Sequence, residues 1–309
     1  MERLAAADGI ARAKINLFLD VIGRQADGYH RIDGVMQSLE LGDPVRVCFD
    51  PAGSGIHLQV TGGGDIPTDS RNLAWRAAER FLTCSGLGGG VTVLLEKRIP
   101  AAGGLAGGSS DAACVLRLLN RLAGEAALPP SVLSSLAAEL GADVAFCLES
   151  PDGAMRTEGI GTVLTPVPPL PACTVLVANA GEGVSTPWGY AALDERLGDY
   201  AAGRQARAER FAALLSALRA GSLERVAASC FNIFEAAIIP VRPRVQELKD
   251  RMRAAGALVA MMSGSGPSVF GLFRDRVAAE SLCCAMQREG ITAFVTVGRR
   301  PWGSAPNPA

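Results

Sequence analysis

Residues 97–111 read Lys-Arg-Ile-Pro-Ala-Ala-Gly-Gly-Leu-Ala-Gly-Gly-Ser-Ser-Asp. A loop with so little side-chain bulk lets its backbone N–H groups approach a bound group closely. Ser109, Ser110 and Asp111 are helix-start residue types, and the apolar run from Ala112 to Leu122 predicts the helix they would open. The first N–H groups of a helix have no internal partner and sit at the positive end of the macrodipole. Loop and helix together would cradle an anion, phosphate above all. The frame Gly103 to Gly108 has the outer glycines of a Walker A loop, but Ser109 stands where that motif has lysine. No G-x-G-x-x-G occurs, so a dinucleotide site has no support. The plain alternative is a flexible linker between a strand and a helix.

Other polar residues sit where only a partner would make sense of them. In Ala13-Lys14-Ile15-Asn16-Leu17, the period of a strand puts Lys14 and Asn16 on one face. A substrate hydroxyl or phosphate would satisfy both; an edge strand with solvated polar residues is the alternative. Asp143 lies inside the apolar run Leu140 to Leu148. An unpaired charge there is costly, so it is either a general base kept ionised by a cation, for which Lys14 is the candidate, or a cap beside Gly141. Asp27-Gly28-Tyr29-His30 offers a stacking face and a two-sided hydrogen-bonding ring suited to a planar base, or else a packed tyrosine beside an exposed histidine. The other histidine, His57, has no partner pattern and reads as surface. Met262-Ser263-Gly264-Ser265-Gly266-Pro267-Ser268 is a second glycine loop, able to present N–H groups to an anion or to brace the first. Of the 30 basic residues only Lys14, Lys97 and Lys249 are lysine, and two of them adjoin these segments. A compact charge whose pKa moves on burial would suit those positions.

The elements that must hold these residues are mixed. Strands are predicted over 11–21, 34–49, 56–61 and 91–95, with a turn over 23–28. Helices are predicted over 72–84 and 131–140, the second entered through Pro129-Pro130. Pro166 to Pro171 marks a candidate domain boundary. Beyond it, 174–178, 257–262 and 269–273 read as strands, 191–218 as mostly helical and 244–255 as a helix ending at Gly256. Residues 299–309 read as a loose tail. Without strict alternation of strand and helix, the fold class is α+β.

Composition narrows the partners. With 309 residues, 49% of them hydrophobic, the chain can build about two domains with real cores. A net charge of −1 argues against nucleic acid or an anionic membrane as the main partner. The eight cysteines form no C-x-x-C pair and lie mostly in apolar runs, which predicts reduced core thiols. The N-terminus does not read as a signal peptide and no apolar run has the length of a membrane span, so a cytoplasmic protein is expected.

Three segments in this order, Ala-Lys-Ile-Asn-Leu with Gly-Arg-Gln-Ala-Asp-Gly-Tyr-His (13–30), Pro100 to Ala113, and Met262 to Phe273, resemble the GHMP kinases over nearly the whole chain. The first is similar to the pattern of the family member that phosphorylates a cytidine diphosphate substrate. The resemblance implies two α+β domains, an N-terminal ATP-binding one (1–165) and a C-terminal one (166–309), with the active site in the cleft between them. It implies transfer of ATP's γ-phosphoryl group to the 2-hydroxyl of 4-(cytidine 5'-diphospho)-2-C-methyl-D-erythritol, in isoprenoid precursor synthesis by the non-mevalonate route. Asp143 would take the hydroxyl proton, and Lys14 would hold Asp143 and the developing charge. Asn16 and Thr186 would lie by the substrate, His30 would hydrogen-bond cytosine, and Tyr29 and Tyr190 would stack on its two faces. Asn72, Lys97 and the loop Pro100, Ala101, Ala102, Gly103, Gly104, Leu105, Ala106, Gly107, Gly108, Ser109 and Ser110 would hold ATP. Mg²⁺ is expected with it, Ser110 and Asp111 being candidate ligands, and the protein would be a monomer or homodimer. Two departures stand out. Ala106 replaces a frequent glycine, tolerable if its φ is negative, and Ala145 replaces a frequent proline after Asp143. A related kinase of mevalonate, homoserine or a sugar would need no Tyr-His segment. An RNA-binding module on a similar fold would fit poorly with the near-neutral charge.

Overall fold

The structure is a computed structural model and describes residues 5–181 and 183–299. The chain forms two compact units, each assembled from separate stretches of sequence.

The first unit gathers residues 5–13, 41–101 and 106–151. Its strands come from β1 (Ala5–Arg24), β2 (His30–Asp50), β3 (Gly55–Gly62) and β4 (Gly90–Lys97), in the order β3-β4-β2-β1. β4 runs antiparallel to β2, Val45 facing Leu95, and parallel to β3. Between β3 and β4 lies α1 (Leu73–Ser85). Asn72 caps it and Gly86 ends it in the left-handed conformation, at φ 66°. Ala74, Ala77, Ala78 and Phe81, at helical spacing, form its buried face. α2 (Gly107–Leu122), α3 (Pro130–Leu140) and α4 (Ala142–Glu149) complete the unit, with α2 packed on α1 and α4. Burying Phe81, Leu116 and Phe146 together leaves α2 with almost no exposed face, so the helix that follows the glycine loop is firmly seated.

The second unit gathers residues 14–40, 102–105 and 152–299. The remaining elements are β5 (Ala154–Gly159), β6 (Val163–Val167), β7 (Thr174–Asn179), α5 (Thr186–Leu197), α6 (Arg204–Arg219), α7 (Leu223–Ser229), β8 (Phe231–Asn232), α8 (Glu235–Ile238), α9 (Pro243–Ala254), β9 (Val259–Met262), β10 (Ser268–Phe273), α10 (Arg276–Arg288) and β11 (Ala293–Val297). The first half of β2 pairs with β5, and β5 with β6, while β1 pairs in parallel with β8 through Phe18 and Phe231. β11, β7, β10 and β9 form an antiparallel sheet, with α9 and α10 packed against it. Phe234, Ile238, Leu248, Met252, Phe273 and Met286 anchor this core.

The structure corrects several expectations. α2 begins at Gly107, five residues before Ala112, so Ser109, Ser110 and Asp111 lie inside its first turns. The stretch 191–218 is two helices, because Gly198 and Gly203 both hold left-handed φ, near 69° and 68°. Asp143, for which the sequence named no element, stands in the first turn of α4, after its N-cap Gly141. Of the prolines at 166–171, Pro166 belongs to β6, while Pro168, Pro169 and Pro171 lie in the connection to β7, where buried Leu170 donates its N–H to Gln37 Oε1 at 2.7 Å. Arg299 is tied to Ser38 by a backbone hydrogen bond of 2.8 Å, and the rest of the expected tail lies outside the described residues.

Candidate active site

In the second unit, β1 supplies Lys14 and Asn16, both 3% exposed. Their shared face follows from strand alternation, and Lys14 Nζ donates to Asn16 Oδ1 at 2.8 Å. The backbone N–H of Lys14 donates to the carbonyl of Leu105 at 3.0 Å, which stitches the strand to the glycine loop. The second glycine loop braces the first. Ser263 Oγ donates to Gly104 O at 3.0 Å and accepts from Asn16 N–H at 3.3 Å, and Ser268 N–H donates to Gly103 O at 3.2 Å. Gly104 holds φ 75°, and a Cβ there would fall 2.1 Å from Ser263 O, so the contact between loops demands glycine. Asn232 holds the bracing loop from behind, donating to Met262 O and Gly264 O at 2.8 Å each. Lys14, Asn16 and residues 102–105 are therefore one hydrogen-bonded assembly.

A ring cluster occupies another part of this unit. His30, at the start of β2, stacks on Tyr190 of α5 with centroids 4.4 Å apart. Tyr200 meets His30 edge-on, and Phe234 meets Tyr190 the same way. His30 Nε2 lies 2.7 Å from Asp194 Oδ1, and the Tyr200 hydroxyl donates to the same oxygen. Burial pushes the Asp194 carboxyl up, but bonds from Tyr200 and His30 and the nearby Arg24 charge outweigh it and hold the group below the usual range. Tyr29 is 63% exposed, and Thr186 is exposed at the start of α5.

In the first unit, Asn72 uses both ends of its amide locally: Oδ1 accepts from Ala74 N–H at 2.9 Å and Nδ2 donates to Pro67 O at 2.8 Å. Lys97 is buried, its ammonium clamped between Asp43 and Asp111, the latter at 2.6 Å. Asp43 also accepts from the N–H groups of Arg98 and Ile99, at 2.5 and 2.8 Å, so it fixes the entry to the loop as well as the lysine. Burial pushes the Asp111 carboxyl up to about 7; Lys97 pulls it down, and Asp43 adds to the rise. The outer oxygen of Asp111, Oδ1, is buried with no hydrogen-bond partner. Ala106 is the N-cap of α2 at φ 58°, against the expectation of a negative angle. Pro100 is half-buried and Ala101 exposed, while a Cβ at Gly108 would meet Leu73 Cδ1 at 3.9 Å, an ordinary contact. Ser109 is half-buried, and Ser110 Oγ donates to Gly107 O at 2.8 Å. Asp143 is half-buried on α4.

Of the expected Mg²⁺ ligands, Asp111 already gives one oxygen to the Lys97 ammonium at 2.6 Å, and the Ser110 hydroxyl donates to Gly107 O at 2.8 Å. Among the described residues no group of three acidic, His or Cys side chains could hold a metal.

Sequence reading missed Asp43, Asp194, Tyr200 and Asn232. Asp43, between Gly42 and Pro44, reads in sequence as a turn residue, and only the structure shows a fully buried carboxylate that needs a cation. Asp194 follows Tyr190 by four residues and Thr186 by eight, which puts all three along one stripe of α5.

Comparison with known proteins shows the family. The family model for the GHMP kinases N terminal domain matches residues 72–150, and that for GHMP kinases C terminal matches 214–292. The 4-diphosphocytidyl-2-C-methyl-D-erythritol kinase of Gloeobacter violaceus is 40% identical over 92% of each chain. That of Pelobacter propionicus is 42% identical over 88% of this chain and 91% of its own. A crystal structure of 4-(cytidine 5'-diphospho)-2C-methyl-D-erythritol kinase superposes with TM-score 0.75 at 34% identity, covering 95% of this chain and 99% of that one. Homoserine kinase from Cytophaga hutchinsonii superposes equally well at 22% identity, a likeness of fold alone. The chain belongs to the GHMP kinase family, among its 4-diphosphocytidyl-2-C-methyl-D-erythritol kinases.

Proposed function

We infer that this chain transfers the γ-phosphoryl group of ATP to the 2-hydroxyl of 4-(cytidine 5'-diphospho)-2-C-methyl-D-erythritol. The observation that favours this acceptor over those of other family kinases is the ring cluster: stacking on Tyr190 and the bond to Asp194 hold the His30 imidazole in one orientation, as reading a planar base requires. In this reading Asp143 accepts the hydroxyl proton. The freed oxygen bonds to the γ-phosphorus, the bond to the bridging oxygen breaks, and ADP leaves. Lys14, already hydrogen-bonded to Asn16, supplies positive charge to the oxygens of the moving phosphoryl group. Asn16 and Thr186 contact the methylerythritol part, His30 hydrogen-bonds cytosine, and Tyr29 and Tyr190 flank the base. The exposed position of Tyr29 leaves its ring available for stacking.

ATP would lie along residues 100–110, its phosphates on the N–H groups at the start of α2. Lys97 acts through the loop entry that its partner Asp43 fixes, and Asn72 through the start of α1, which it caps. Mg²⁺ is expected to arrive on the nucleotide's own phosphate oxygens.

Measuring ADP release with the cytidine substrate, mevalonate and homoserine in parallel tests the acceptor: only the cytidine compound should support turnover. Asp143→Asn should lower kcat by roughly 10²–10⁴ with little change in KM. Retention of most of the turnover would remove Asp143 as the base.

A further inference from the structure

Asp194 has no place in the expected chemistry, yet it organises the ring cluster. It shares one stripe of α5 with Thr186 and Tyr190, at intervals of four residues. One of its oxygens takes both the His30 Nε2 contact and the Tyr200 hydroxyl, and Arg24 lies 3.7 Å from the other. Tyr200 is 8% exposed and its hydroxyl donates to this carboxylate, so it cannot swing away without giving up that bond and its packed position. Tyr190 fixes the plane of the His30 ring by stacking, and Tyr200 blocks its edge. The imidazole is therefore held in both plane and rotation.

A carboxylate can only accept. Nε2 of His30 must then carry the proton, and in the neutral ring Nδ1 carries the lone pair. We propose that Asp194 is a positioning residue that fixes this tautomer, and that Nδ1 thereby selects a 4-amino pyrimidine over a 4-oxo pyrimidine. The proposal rests on the reading above that His30 meets the base. In a cytidine nucleotide the 4-amino group carries the only N–H bonds of the base, so a lone pair on Nδ1 can pair with nothing else. A uridine nucleotide offers a carbonyl at that position, where two lone pairs would face each other, and its N3–H could meet Nδ1 only if the base shifted along a ring that Tyr190 and Asp194 hold in place. Sites that hydrogen-bond a substrate group reject the analogue lacking it far more strongly than apolar pockets do. Asp194 is thus expected to govern which base is accepted while leaving phosphoryl transfer alone.

Two measurements test this, and neither needs turnover. The chain has two histidines, so a His57→Gln background leaves His30 as the sole imidazole for nitrogen NMR. The neutral ring should show a protonated Nε2 and a bare Nδ1, and Asp194→Ala should mix the tautomers. Calorimetric titration with cytidine 5'-diphosphate and uridine 5'-diphosphate then reads selectivity. The wild type should favour the cytidine compound, Asp194→Ala should lose roughly tenfold or more of that preference, and Asp194→Asn, whose amide oxygen can still accept from Nε2, should keep most of it. Tyr200→Phe provides a milder perturbation should Asp194→Ala fold poorly, and should lose part of the preference. In turnover assays the loss in Asp194→Ala should fall on KM for the cytidine substrate, with kcat within about twofold. A proton on Nδ1 in the wild type, or an unchanged cytidine preference in Asp194→Ala, overturns the proposal. Cytidine preference without phosphorylation of the expected substrate upholds it and rejects the activity instead.

Discussion

Asp111 shows how one buried side chain can make stability depend on pH. Its carboxyl titrates near 7 in the fold against an ordinary value of 3.8. The folded chain therefore binds this proton more tightly than the unfolded chain. Between about pH 4 and about pH 7 the folded state holds more protons, and the contribution of Asp111 to stability falls as pH rises through that window. Asp111→Asn has no such titration. Relative to that variant, the wild type should lose at least about 1 kcal/mol of unfolding free energy from the acid to the neutral end of the window, measured by denaturant titration. A pH-independent difference would show that Lys97 keeps Asp111 ionised throughout. The same residues show why part of the site was legible and part was not. Lys14 and Asn16 are two positions apart, and strand alternation alone put them side by side. Asp43 meets Lys97 across 54 positions, and Asp194 meets His30 across 164. Only the fold could pair those.

At the scale of the element, Ala106 is the strained joint at which the glycine loop enters α2. At φ 58° a Cβ crowds the following carbonyl, at a cost of roughly 1–2 kcal/mol, while glycine at the same angle has no such crowding. Ala106→Gly should therefore raise unfolding free energy by up to about 1 kcal/mol, the gain being trimmed by the greater freedom of glycine in the unfolded chain. Ala106→Val should lower it. Equal stability of all three chains in denaturant titration would mean that the loop relaxes to a negative φ without penalty. Elements with a clear period and end signals, such as α1 with Asn72 and Gly86, were readable. β5 and β6 were not, because both are short and carry few apolar residues, which blurs the period-two pattern that reveals a strand. α2 was read short because glycine and serine are weak helix formers, and here packing on α1 and α4 overrides propensity.

For the whole molecule, the order of segments along the chain is less informative than their pairing. β1 and β2 each run through both compact units, so residues 14–40 join segments that follow residue 152. A single division near Pro166 cannot express that, because strand pairing across such distances leaves no local trace in sequence. The consequence is cooperative. Neither unit can release its strands without disturbing a strand the other also uses, so both are expected to unfold together. The cysteines can report this. All eight are free thiols: Cys84 and Cys284 are exposed, while Cys114 and Cys147 are buried in the first unit and Cys230 and Cys283 in the second. Burial pushes the Cys230 thiol up to about 12, which leaves very little of the reactive thiolate in the folded chain. A thiol reagent should modify Cys84 and Cys284 promptly in native buffer and leave the four buried thiols intact. Across a denaturant series, mass spectrometry of each peptide should give one common midpoint for Cys114, Cys147, Cys230 and Cys283. Midpoints that separate by unit would show that the shared strands do not couple the two cores, and that each half of the kinase folds on its own terms.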